Sequence, residues 1–511
     1  MEKAGITMGK FIAGLVIAIL VSSAVSAAIS TQLLVAGPEG PQGETGATGA
    51  TGPEGPPGPQ GPYLPDYDSG WLDITNEAGK YFNVTHNLNS EDLIVDIRGK
   101  ATASSGAHQR HYGIMSNTQW TKTYGGAESE DAYSVVQTAD GGYALAGHTD
   151  SYGAGGDFWL VKTDAPGSHQ WNKTYGGADY DSAYSVVQTA DGGYALAGTI
   201  GSFGAGDFWL VKTDSAGNQL WNQTFGGENT EYAWSVVQTA DGGYALAGLT
   251  YSFGAGGGDF WLVKTDSAGN ALWNRTYGGT GWEEARSMVQ TADGGYALAG
   301  HTNSFGAGGS DFWLVKTDSA GNQLWNQTFG GASAEDAYSV VQTADGGYAL
   351  AGETNSFGAG DADFWLVKTD SAGNHQWNKT YGGTGWEEAR SMVQTADGGY
   401  ALAGHTSSYG AGGRDFWLVK TDSAGNQQWT KTDGGASDDA AYSLVQTVDG
   451  GYALAGYTYS FGAGGADFWL VKTDVESGLA WTDSTANTIT LYRGATDIQW
   501  NYVQVRIWKI D

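Results

Sequence analysis

The body of this 511-residue chain repeats itself, and the repeat limits the possible folds more than any other feature. The string DGGY begins at Asp140, Asp191, Asp241, Asp293, Asp345, Asp397 and Asp449, and successive copies lie 50 to 52 residues apart. The string DFWLVKTD begins at Asp157, Asp207, Asp259, Asp311, Asp363, Asp415 and Asp467. Within one unit, residues 133–138 (YSVVQT) form an apolar run, Asp140-Gly141-Gly142 is a tight hairpin signal, and residues 143–149 (YALAGHT) read as a second strand. A Gly-rich loop leads to residues 158–163 (FWLVKT), and residues 164–167 turn the chain into a fourth strand around Trp171. Four short strands per unit, in seven units, predict an all-β, seven-bladed β-propeller. A solenoid would need distinct capping repeats, and the sequence has none.

The ends of the array supply an independent check. Fourth strands centre on Trp120, Trp171, Trp221, Trp273, Trp325, Trp377 and Trp429, so the first of them precedes the first complete set of three. After the last FWLVKT, residues 468–473, no WNxTYGG follows. The last blade therefore lacks its outer strand, and residues 117–124 are left over to complete it. This is the closure that a ring requires.

Fourteen of the 21 tryptophans are the FWLV and WN tryptophans of this unit, and their regular recurrence assigns them to packing between blades. The turn at residues 214–221 (DSAGNQLW) resembles a one-residue-shorter version of the tryptophan-docking motif of quinoprotein-type propellers. The likeness covers a few residues per blade; it supports the fold and implies no quinone cofactor.

Upstream of the propeller the composition changes twice. Residues 11–35 are almost uncharged and follow Lys3 and Lys10, a length and flank suited to a membrane helix with the N-terminus in the cytoplasm and the bulk of the chain outside. A signal peptide cleaved near Val25-Ser26-Ala27 is the competing expectation, and it leads to a secreted chain. Glycine then recurs at every third position from Gly37 to Gly61 in nine triplets, the collagen-like pattern in which only glycine fits the axis. Such a tract makes either a single extended tether or, in a homotrimer, a triple helix. The expected layout is an anchor at 1–36, a stalk at 37–63, the propeller at 117–474, and flanks at 64–116 and 475–511 too short to hold separate cores. Closure of the ring brings entry and exit together, so the flanks are expected to form one small β-sandwich interrupted by the propeller. Through Trp71, Leu93-Ile94-Val95 and residues 502–508 (YVQVRIW), these halves faintly resemble an H-type lectin module.

The whole arrangement, with its GPxG tract and its TYGG, DGGYALAG and DFWLVKTD repeats, resembles surface-anchored repeat proteins of archaea. The resemblance implies display at the cell surface and no particular activity. Composition agrees in what it excludes. A formal charge of -31 argues against nucleic-acid binding, and the absence of cysteine removes disulfides, thiolate nucleophiles and Cys-ligated metals.

In a propeller the turns inside the first and last hairpins lie on one face, and here they are nearly constant (TADGGY, KTDSAGN). The connections from strand four to strand one and from two to three lie on the other face and vary, which marks that face as the binding face. Each unit carries a carboxylate just before its first strand: Glu130, Asp181, Glu231, Glu283, Glu335, Glu387 and Asp439. This acidic ring either fixes its loops through backbone N–H groups or gathers Ca²⁺. At the end of strand two stand His148, Thr199, Leu249, His301, Glu353, His405 and Tyr457, which with Trp282 and Trp386 are candidates to stack on and hydrogen-bond a sugar or peptide. Sequons begin at Asn83, Asn172, Asn222, Asn274, Asn326 and Asn378, the last five on fourth strands, where glycans would cover exposed edges. Residues 277–302 are identical to 381–406, so a two-blade duplication accounts for the pairs Trp282/Trp386 and Arg286/Arg390.

No nucleophile–base pair or metal motif recurs, so the expectation is a non-enzymatic, membrane-anchored protein for recognition or adhesion, with a glycan or envelope protein as ligand and no cofactor. The alternatives are a tethered or secreted enzyme acting on polysaccharide, and a purely structural envelope component.

Overall fold

A computed structural model describes residues 120–201 and 206–473 in full, together with the backbone of strands Tyr67–Asp73, Lys80–Thr85, Leu93–Lys100, His108–Gln109, Leu479–Ser484, Thr488–Arg493 and Tyr502–Lys509. The apolar N-terminal segment and the Gly-X-Y tract lie outside these residues. Among the described residues every regular element is a strand. Seven four-stranded antiparallel sheets form the blades of an all-β propeller. In blade one the order is Glu130–Gln137, Tyr143–Thr149, Asp157–Thr163 and His169–Tyr175, and each hairpin joins neighbours in the sheet. The seventh blade contributes only three strands of its own, and Trp120–Tyr124 completes it, with Phe468 opposite Tyr124 and Lys472 opposite Trp120.

Why the repeat folds this way follows from which faces are covered. Strands two and three lie between two neighbouring blades, so YALAGxT and DFWLVKT are buried along almost their whole length and cannot alternate polar with apolar. The outer strand is covered on one side only, and HQWNKTY alternates exposed with half-buried positions. Close approach sets the small residues of strand two. A Cβ on Gly198 would stand 1.9 Å from the carbonyl oxygen of Ser182 and 2.8 Å from the Phe158 ring, and six equivalent glycines sit as tightly.

Two aromatic relays link each blade to the next. The Phe of one DFW motif meets the Trp of the next, from Phe158–Trp209 round to Phe468–Trp159, with ring centres 4.5 to 4.6 Å apart at all seven interfaces. Further out, the fourth-strand tryptophan of one blade meets the DGGY tyrosine of the next edge-on at 5.7 to 6.0 Å, Trp120–Tyr143 included. The tryptophans thus face neighbouring blades, as their recurrence indicates. On the hairpin face a buried lysine of strand three reaches back to the DGGY aspartate of its own blade, Lys162–Asp140 being typical, at 2.8 to 3.0 Å in all seven blades.

The flanking strands pair across the propeller insertion. Tyr67–Asp73 and Leu93–Lys100 both run antiparallel to Tyr502–Lys509, and Lys80–Thr85 and Leu479–Ser484 both run antiparallel to Thr488–Arg493. Each of the two sheets therefore mixes strands from before and after the ring.

Two predictions follow from these contacts. Phe260→Ala removes one member of the inner relay, and urea unfolding should show a loss of about 3–5 kcal/mol, the usual cost of emptying a buried phenylalanine site. The pH profile should have a maximum near pH 4. Burial works against ionisation of Asp140, yet hydrogen bonds from Lys162, Thr138 and the Gly142 N–H outweigh it and hold the carboxyl at about 2; Asp191, Asp241, Asp293 and Asp345 behave alike. Their stabilisation is present above an unfolded value of about 3.9 and is lost as pH falls towards 2. Asp259 and Asp363 are instead pushed up to about 6 by burial, with Glu283 and Glu387 of the next blade adding to it. They favour the folded state below about pH 4, and that stabilisation is lost as pH rises through 6. Melting temperatures between pH 2 and 8 should rise and then fall; a flat profile contradicts both assignments.

Candidate functional site

The first strand of every blade carries a β-bulge at its fourth residue, between Ala132 and Ser134 in blade one and at the same place in the other six. A bulge leaves one residue out of the pairing and re-aims its side chain. Here the released residues are Tyr133, Tyr184, Trp234, Arg286, Tyr338, Arg390 and Tyr442, and with six of the serines that follow them they line an axial cavity of about 400 Å³.

These seven side chains form a closed stack around the axis. Ring centres are 5.2 Å apart for Tyr133–Tyr184, 4.1 Å for Tyr184–Trp234 and 5.1 Å for Tyr442–Tyr133. The two guanidinium groups complete the circle. Arg286 lies 4.3 Å from the Trp234 ring and 5.7 Å from that of Tyr338, and Arg390 lies 4.3 Å from Tyr338 and 5.3 Å from Tyr442. Beneath them the serine Oγ atoms accept the N–H of the neighbouring first strand, from Val186→Ser134 round to Val135→Ser443, at 3.1 to 3.2 Å.

In the sequence strand one is a short apolar run, and nothing in a single copy of that run marks the residue that the bulge turns towards the axis. The signal was present: the bulge position varies among Tyr, Trp and Arg between an invariant Ala and an invariant Ser.

On the loop side of this ring lies a tier of charged groups concentrated in blades four to six. Glu284 pairs with Arg286 at 3.1 Å and Glu388 with Arg390 at 2.7 Å, both acids being buried. Burial and the neighbouring Glu388 push Glu353 up to about 8, while Trp386 donates its indole N–H to Glu353 Oε2 at 2.8 Å. His405 is driven down to about 3 by burial and by Arg390 and Arg414, so it is neutral.

The strand-two candidates are not surface groups. His148, Thr199, Leu249, His301, Glu353 and His405 are all buried and Tyr457 is half-buried, because strand two is sandwiched between neighbouring blades up to its last residue. They face the second residue of strand one: Asp131 opposite His148, Glu284 opposite His301, Asp336 opposite Glu353 and Glu388 opposite His405. His148 is held by the Asp181 carbonyl at 3.2 Å and Asp150 at 3.0 Å, and Thr199 donates to the Glu231 carbonyl at 3.0 Å. Trp282 and Trp386 are exposed.

The acidic ring is fully buried. Glu130 Oε1 accepts from Thr149 Oγ1 and the Ser151 N–H, and Oε2 accepts from the Gly126 N–H. Glu231, Glu283, Glu335, Glu387 and Asp439 repeat this set, and Asp181 accepts from the Gly177 and Gly201 N–H groups. Their oxygens fasten the two loops of each blade together. Ca²⁺ takes six to eight oxygens, and among the described residues no group of three or more His, Asp or Glu is placed to hold a metal. The sequon asparagines Asn172, Asn222, Asn274, Asn326 and Asn378 are exposed on outer strands, and Asn83 lies within Lys80–Thr85.

No family model matches the chain. It is 27% identical over 198 residues, 33% of its length, to the regulatory protein FlaEY of Caulobacter vibrioides, and it spans about a fifth of that protein. Among solved structures it is similar to the WD40 domain of Neurospora crassa Pan2, at TM-score 0.44 and 9% identity over 71% of this chain and 98% of that one. It is also similar to Sqt1 of Chaetomium thermophilum, at TM-score 0.40 and 11% identity over 76% and 97%. A third similar structure is the extracellular domain of a putative hybrid two-component system of B. thetaiotaomicron, at 0.39 and 11% over 71% and 43%.

Proposed function

We propose that the protein is a membrane-anchored recognition or adhesion protein that presents the propeller on a collagen-like stalk and binds a glycan, or a neighbouring envelope protein, with the loop face. One observation carries the reading. Every large aromatic side chain with more than a third of its surface exposed, among the described residues, belongs to the loops of that face: Tyr180, Trp282 and Trp386 before strand one, and Tyr152, Tyr251, Phe253, Phe305, Phe357, Tyr409, Tyr459 and Phe461 after strand two. Among the described residues the opposite face exposes Val448 alone of the large apolar side chains, and the outer strands expose leucines. Aromatic planes held at fixed spacing are what a pyranose or an extended peptide stacks on. The Phe and Tyr after strand two are steadied by the DFW tryptophans, Phe253–Trp261 at 5.3 Å being one of six such pairs, so their exposed edges are pre-organised.

A second reading, an enzyme acting on polysaccharide, draws on the carboxyl pair of blades five and six. Glu353 is raised by burial and by the neighbouring Glu388, which is itself ion-paired with Arg390, and a carboxyl kept protonated beside a second acid is what a general acid needs.

On a glycan array, Trp282→Ala should lower binding about tenfold or more while the melting temperature stays close to that of the parent. Retained binding removes the loop-face reading. Under the second reading, hydrolysis of an envelope polysaccharide should be seen with the parent and lost with Glu353→Gln.

A further inference from the structure

The axial cavity has a chemical bias that the adhesive reading neither needs nor explains: two guanidinium groups, an indole and a ring of serine hydroxyls line it. Each guanidinium uses one amino group on its glutamate, and the Nε–H groups of Arg286 and Arg390 are buried with no partner. The indole N–H of Trp234 is buried and unpartnered as well. Each lining serine accepts a backbone N–H through its Oγ, which leaves its own hydroxyl hydrogen to donate. Buried donors without acceptors are costly, and a cavity lined by two arginines, a tryptophan and a ring of serines is suited to an acceptor-rich ligand.

We propose that the axial cavity is an oxyanion site: it takes a small carboxylate, sulfate or phosphate group, free or carried on one sugar ring, between Arg286, Arg390 and Trp234. Three features fit that chemistry. The guanidinium planes are fixed on both faces by Trp234, Tyr338 and Tyr442 and at one edge by Glu284 and Glu388, so the remaining edge is presented rigidly, as bidentate recognition of an oxyanion requires. The volume, about 400 Å³, lies at the low end of small-ligand cavities and suits one sugar ring or less. The asymmetry also fits: cations enter the ring only in blades four and six, while the other five bulges present aromatic groups. Because both arginines are already paired with acids and the chain is strongly acidic, recognition rests on directed short-range donors rather than on long-range attraction.

The test uses the full-length protein, titrated with sodium sulfate, sodium phosphate and sodium glucuronate against sodium chloride at matched ionic strength, with melting temperature and calorimetry as readouts. At least one oxyanion should raise the melting temperature saturably by a few degrees. Trp234→Phe keeps the stack and removes one donor, and it should weaken that binding several-fold. Arg286→Lys with Arg390→Lys keeps the charge beside each glutamate but removes the rigid fork, and it should weaken binding about tenfold or more. Response to glucuronate alone identifies a sugar-borne carboxylate, and response to sulfate or phosphate identifies a free ion. If none of the three exceeds chloride, or if Trp234→Phe binds as the parent does, the proposal is overturned; circular dichroism of each variant separates loss of binding from loss of fold. Loss of oxyanion binding with intact glycan binding, or the reverse, distinguishes this site from the loop face.

Discussion

Closure of the ring is the constraint on which the rest of the structure depends. A blade buries both faces of strands two and three only if it has a neighbour on each side, and seven blades have seven such interfaces only when the last meets the first. The five residues Trp120–Tyr124 make that meeting covalent: they enter the ring ahead of blade one and complete blade seven. Once they are paired, the relay Phe158–Trp209 through Phe468–Trp159 has no end, and neither has the circle of serine-to-backbone bonds around the axis. Each interface then reinforces two others, and no apolar blade face is left bare.

Near-identity of the blades settles how charge is distributed. On the hairpin face each DGGY aspartate is matched by a lysine of its own blade, which ties the first hairpin to strand three. On the loop face each carboxylate of the acidic ring is used up fastening loops, and the DFW aspartate of the previous blade holds its proton more tightly, chiefly through burial and secondarily through the ring carboxylate beside it. The repeat therefore accounts for much of the acidic surplus as scaffold. What is individual to this protein lies where the repeat breaks, at the bulge residues on the axis and at the aromatic loops above them.

The periodicity of DGGY and DFWLVKTD made the propeller, the blade number and the closing strand legible, because short apolar strands at a fixed spacing have few ways to cover both faces. The site was less legible. His148, Thr199, Leu249, His301, Glu353 and His405 stood out because they vary at the end of a strand, yet variation there marks differences in packing beneath loops, and six of the seven positions are buried. A two-blade duplication accounts for the recurrence of Arg286 and Arg390 along the chain, and the register shift that turns them inward shows only once strands one and two are paired.

By itself the sequence determined the architecture: seven copies of one four-stranded unit, a leftover strand to close the ring, and flanks that must pair with each other because neither can hold a core alone. Only the tertiary structure decided which residues meet at the axis. The strands and their turns are written locally along the chain, whereas the convergence of one bulged residue from each of seven blades depends on the ring being closed, and a position that varies among Tyr, Trp and Arg between Ala and Ser does not by itself say that its seven copies meet.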